Sequence, residues 1–133
     1  MQIDDKILET AYGLDGGAWL LRLGRKKIEA AYNGIGAEWM PEIVRKTISK
    51  ILWLFQPCAV LHDCQYEYLK DRSDEMFNKV NLQFKNNCYK LMEERYCFLN
   101  PLRYWRYHQA DAAYEILQKH GKKAWEEGGK KCK

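Results

Sequence analysis

His62 and Asp63 stand side by side at the end of a segment that opens with a glycine-bearing loop, Tyr32-Asn33-Gly34-Ile35-Gly36. Histidine is the usual general base near neutral pH, and a carboxylate is a hard oxygen ligand. Glycines at alternate positions let a loop turn successive main-chain carbonyls inward without a Cβ clash. Calcium takes about six to eight oxygens and accepts main-chain carbonyls readily. Together these residue types suit attack of an activated water on a carbonyl, with calcium offsetting the charge of the tetrahedral intermediate.

The elements that must position these groups read as helices. Consecutive helical residues point about 100° apart, so His62 and Asp63 face different ways, one toward a substrate water and the other toward a metal. Tyr66 lies one turn beyond His62 on the same face, and Cys58 one turn before it. Upstream, Ile43, Val44, Thr47, Ile48, Ile51, Leu52 and Phe55 repeat at helical spacing after Pro41, a residue suited to a first helical turn. Pro57 ends or kinks that helix and begins the next one, through about Asp71. Ser73 reads as the N-cap of a following helix whose stripe is Phe77, Val80, Phe84, Cys88, Leu91 and Met92. Asn100-Pro101 starts another helix, running to about His120. Ile3 to Leu14 is a short helical pattern, and Ala18 to Tyr32 is an amphipathic helix interrupted at Gly24. No stretch alternates with a strand period, and no repeat is visible. The expected fold is all-α, a single domain over 1–133, with a hairpin over 57–92 and a loose basic tail over 122–133.

Tyr-x-Gly-x-Gly followed by a helical His-Asp-x-x-Tyr resembles the paired signature of phospholipase A2, and the loop without cysteines is most similar to the compact viral, phage and prokaryotic forms. The resemblance covers about Tyr32 to Phe84. It implies a phospholipase A2-like helical hairpin with a calcium-binding loop, flanked by additional N- and C-terminal helices. It further implies that the carbonyls of Tyr32, Gly34 and Gly36 and the carboxylate of Asp63 bind Ca2+. His62 would then activate a water to attack the sn-2 ester of a glycerophospholipid. Tyr66 would hydrogen-bond a supporting aspartate that orients the imidazole, and the family's Asp-x-x-Phe matches Asp74 to Phe77.

The chain departs from the family pattern here, because the compact relatives have a longer gap between the histidine and that aspartate. A hairpin turning near Arg72 sets His62 level with Asn81 and Cys58 near Phe84 and Cys88, and leaves Asp74 near Leu69. Four to seven residues of rise is about 6–10 Å, too far for one carboxylate to span. Asp74 can orient His62 only if the first helix stops early or the second starts before Ser73, and Asn81 is its rival. An asparagine can orient a histidine but stabilises the imidazolium less.

Other readings are open to the same residues. Metal-dependent His-Asp phosphohydrolases need an earlier histidine, and the three here are His62, His108 and His120. Zinc held by Cys58, His62, Cys64 and Cys88 fits no common spacing. The five cysteines form no CxxC pair and favour reduced thiols, with the relation of Cys58 to Cys88 left open. Trp39 and Trp53 are read as core or, beside Lys46 and Lys50, as a rim entering a phospholipid headgroup zone. Arg103 to Tyr107 mixes basic and aromatic residues, but on a helix a core Trp105 with solvated arginines is expected and no nucleic-acid partner is.

With 133 residues and a formal charge of +4, composition gives only weak support for anionic partners. No signal-like segment opens the chain, so an intracellular or virion-delivered setting is expected over simple secretion. The competing function is a non-catalytic binding or assembly protein on the same scaffold.

Overall fold

The computed structural model describes residues 2–32 and 41–128. Among these residues all regular structure is helical, without a strand. Helix α1 spans Asp5–Tyr12, a 3-10 turn Gly17–Trp19 leads into α2 at Leu20–Leu23, and α3 spans Arg25–Ala31. Helices α4 and α5 occupy Glu42–Leu54 and Gln56–Tyr68, α6 spans Asp74–Arg95, α7 spans Pro101–His120 and α8 spans Lys122–Gly128.

The boundaries follow local chemistry. Gly24 sits at φ 83° and separates α2 from α3, a backbone state glycine adopts without the Cβ penalty other residues incur. The amphipathic helix expected over Ala18 to Tyr32 is interrupted at Gly24 as expected, and its part before that glycine is a 3-10 turn followed by the short α2. Phe55, at φ −117° and ψ 45°, breaks α4 from α5, and Pro57 falls in the first turn of α5, where no amide partner is needed. The Ser73 hydroxyl accepts from the Met76 amide at 3.2 Å, and the Asn100 side chain accepts from the Leu102 amide at 3.0 Å.

Helix α5 is the axis of the fold. From Pro57 to Tyr66 every side chain except that of Asp63 is buried, and α1, α3, α4, α6 and α8 all pack on it. A helix covered on all sides shows little amphipathic contrast, so its polar members, His62, Gln65 and Tyr66, are enclosed with the apolar ones. Helix α6 buries Phe77, Val80, Asn81, Phe84, Asn87, Cys88, Leu91 and Met92, the spacing of one helical face. Asn87 uses that face to hold the Asp15 turn, accepting from the Asp15 amide and donating to the Asp15 carbonyl, each at 3.1 Å.

The stretch from 122 is not a loose tail as far as Gly128. Trp125 is fully buried and forms a second apolar cluster with Tyr66, Phe77 and Val80. The Arg72 guanidinium lies 3.8 Å over its ring, and the indole N–H donates to the Arg72 carbonyl at 3.3 Å. Arg72 also donates to the carbonyls of Tyr66, at 2.8 Å, and of Trp125. One arginine thereby ties the α5–α6 turn to α8, and its stacking on an indole is a favoured cation–π arrangement.

Candidate functional site

His62 is only 3% exposed, seated where α5 faces α6. Its Nε2 lies 2.9 Å from Asn81 Oδ1, and the Tyr66 hydroxyl donates to the same oxygen at 2.7 Å. Asn81 Nδ2 donates to Gln118 Oε1 at 2.6 Å, and Gln118 Nε2 donates to Asn78 Oδ1 at 3.1 Å. This amide chain turns the Asn81 carbonyl toward His62, so Nε2 carries the hydrogen. Nδ1 is then the nitrogen with the lone pair in the neutral ring. It faces the Asp63 side, 3.9 Å from Oδ1, beyond hydrogen-bond range.

Aromatic rings fix the imidazole from two directions. Tyr66 lies at a centroid distance of 4.1 Å and Phe84 at 5.2 Å, edge-on. Tyr66 is held in turn by Phe77 at 6.2 Å and Trp125 at 5.5 Å. Gly121, at the α7–α8 junction, is where the Tyr66 hydroxyl needs space, because a Cβ there would lie 2.7 Å from it. Burial raises the Tyr66 hydroxyl above its ordinary range, so it remains a donor.

Asp63 is the acidic neighbour of this assembly. Burial raises the Tyr32 hydroxyl, and the charge of Asp63 adds to that rise. Tyr32 and Asp63 therefore share one electrostatic neighbourhood, although 31 positions separate them in sequence. The Cys64 sulfur lies 4.0 Å from the Ile28 carbonyl, and burial, with the charges of Asp63 and Glu67 adding to it, pushes the thiol up to about 12.

Asp74 is not behind His62. Its carboxylate is 83% exposed and pairs with the Lys122 ammonium of α8. The reason is register: α5 ends at Tyr68 and α6 begins after its Ser73 cap, so the antiparallel pair brings Asn81, not Asp74, level with His62. Gly34, Gly36 and Trp39 lie outside the described residues. Trp53 is 68% exposed on α4, on the surface rather than in the core. Trp105, expected inside, is exposed as well.

The four positions of the zinc reading do not converge, since among the described residues no group of three or more His, Cys, Asp or Glu could hold a metal. Cys58 and Cys88 are buried, unbridged and in side-chain contact, as the hairpin register requires. Gln118 was not legible as part of the site. It comes from α7, 37 positions from Asn81, and no sequence pattern links the two.

Comparison with protein-family models, with curated proteins and with solved structures returned no match. The functional reading therefore rests on the chemistry of these residues.

Proposed function

We propose that the protein is a calcium-dependent hydrolase of the phospholipase A2 type, acting on the sn-2 ester of glycerophospholipids. The observation that carries this reading is the pinning of His62 Nε2 on the Asn81 carbonyl, with Tyr66 on the same oxygen. A histidine so held keeps Nδ1 as the basic nitrogen, in one orientation and beside a carboxylate.

In this mechanism His62 Nδ1 takes a proton from a water whose oxygen attacks the ester carbonyl. The same nitrogen then returns the proton to the departing glycerol oxygen. Asn81 and Tyr66 position the ring and do not touch the reacting atoms. The Asp63 carboxylate and the main-chain carbonyls of Tyr32, Gly34 and Gly36 would hold calcium, an all-oxygen donor set that suits the ion. When bound, calcium supplies positive charge to the ester carbonyl oxygen. Exposed Trp53 favours a rim that meets the lipid surface.

The neutral Asn81 offsets imidazolium charge less than a carboxylate would, so turnover is expected to be slow. That amide, together with the depth of His62, also favours a second reading, a non-catalytic binding or assembly protein that keeps the scaffold. One assay separates them: fatty-acid release from mixed-chain phosphatidylcholine vesicles, with calcium, with chelator and for His62→Gln. Calcium-dependent release confined to the sn-2 chain and lost in His62→Gln is the expected result. Wild-type release no greater than the His62→Gln background would refute the enzyme reading.

A further inference from the structure

The hydrogen bonds that run from His62 through Asn81 and Gln118 to Asn78 cross three side-chain amides in succession. An amide carries its oxygen and its NH2 on two arms of nearly one shape, so such a chain can form in either direction. In the direction seen, His62 Nε2–H donates to Asn81 Oδ1, Asn81 Nδ2 donates to Gln118 Oε1, and Gln118 Nε2 donates to Asn78 Oδ1. With all three amides turned over, Asn78 would donate to Gln118, Gln118 to Asn81, and Asn81 to His62. Nε2 would then be the accepting nitrogen, and the hydrogen would sit on Nδ1. A carboxylate in place of Asn81 could only accept and would leave no such choice.

Two groups bear on the choice, and they oppose each other. Asp63 Oδ1 stands 3.9 Å from Nδ1, and its negative charge favours a hydrogen on that nitrogen, though from beyond hydrogen-bond range. The Tyr66 hydroxyl, 2.7 Å from Asn81 Oδ1, favours the opposite. It is buried, and burial keeps its proton on. If Asn81 turned over, it would offer this hydroxyl an NH2, and the phenolic hydrogen would be stranded in the interior without an acceptor, an outcome the observed direction avoids. Gln118 is only partly buried and Asn78 is exposed, so the far end of the chain follows whichever direction the buried end takes.

We propose that Asn81, Gln118 and Asn78 form a reversible amide relay, and that the Tyr66 hydroxyl, by holding it in one direction, selects Nδ1 as the basic nitrogen of His62. Reversal carries the lone pair from Nδ1, on the Asp63 side, to Nε2, which is enclosed against Asn81. Turning three amides would thus switch the base off without moving a helix. That consequence for catalysis rests on the reading of His62 as the base, whereas the relay itself does not.

The test reads the ring nitrogens directly. Long-range proton–nitrogen correlation spectra of isotope-labelled protein distinguish Nε2–H from Nδ1–H, in alkaline buffer where histidine is neutral and in chelator so that calcium does not bear on Asp63. The His62 signals are those missing from His62→Gln. Wild type should show the Nε2–H form in excess. Tyr66→Phe keeps the packed ring and should move the ratio toward Nδ1–H by about fivefold or more, the least that a stranded buried donor is worth. Adding Gln118→Glu to Tyr66→Phe should restore the wild-type form, because a carboxylate accepts from Asn81 but cannot donate to it. An unchanged ratio in Tyr66→Phe would overturn the proposal, as would failure of Gln118→Glu to restore it, or a wild type already in the Nδ1–H form. No turnover enters the measurement, so a protein without esterase activity tests the relay equally well.

Discussion

The oxygen shared by His62 and Tyr66 makes a quantitative prediction about coupling. Tyr66→Phe removes one hydroxyl and keeps the ring contacts to His62, Phe77 and Trp125, while Asn81 retains His62. Loss of one intramolecular hydrogen bond costs about 0.5–1.5 kcal/mol. Asn81→Leu has nearly the same shape but strands two buried donors, the Tyr66 hydroxyl and the His62 Nε2–H. Each stranded donor costs about 1–3 kcal/mol, so this variant should lose about 2–6 kcal/mol. In the Asn81→Leu background, Tyr66→Phe removes one of those stranded donors, and its effect should change sign. The coupling free energy is then about 1.5–4.5 kcal/mol, reaching or passing the upper end for contacting residues. Urea unfolding followed by circular dichroism on all four proteins measures it, provided the slope against denaturant stays constant. Additivity of the two substitutions to within about 0.5 kcal/mol would refute the shared-acceptor geometry.

Trp125→Ala should destabilise by about 3–5 kcal/mol, because a fully buried indole is deleted and Arg72 loses its stacking partner; a loss below about 1 kcal/mol in urea would show that α8 does not dock. Of Cys58, Cys64, Cys88 and Cys97, only exposed Cys97 should react with a thiol reagent in native buffer, and mass mapping after brief labelling checks this. Labelling of Cys58 or Cys88 before unfolding would contradict their packing between α5 and α6. Stability should fall as pH rises above about 9, where the unfolded chain loses the Cys64 proton and the native state keeps it up to about 12. The Cys64 contribution approaches about 1.4 kcal/mol per pH unit and should vanish in Cys64→Ala, so identical alkaline slopes for the two proteins would exclude it.

The sequence carried much of the helical framework because its boundaries are written in local chemistry. Pro41, Pro57, the Ser73 cap and the Asn100-Pro101 pair each act within a turn of where they stand, and the helices begin there. The hairpin register was legible for the same reason, since one turn near Arg72 sets every opposing pair from His62–Asn81 to Cys58–Cys88. What could not be read depends on distant segments. The 122–128 stretch carries two lysines against two glutamates and ends on glycine, and only the hollow beside Tyr66 and Phe77 explains why Trp125 holds it as a helix. Trp105 misled in the opposite sense: helical spacing marks a side chain as buried only when another element lies over that face. Gln118 entered the site through the return of α7 along α6, which has no local signature.

An asparagine codon becomes an aspartate codon by a single-base transition. Asn81 is therefore one nucleotide away from a charged group at the point where His62 and Tyr66 meet. The Tyr66 hydroxyl would donate to a carboxylate as it does to the amide, and the Gln118 side chain can rotate its NH2 toward it. Helix α6 would need no new register for the exchange. Descent could thus pass back and forth between a neutral and a charged support behind His62 in one mutational step, giving selection a way to tune the site while the fold is inherited intact.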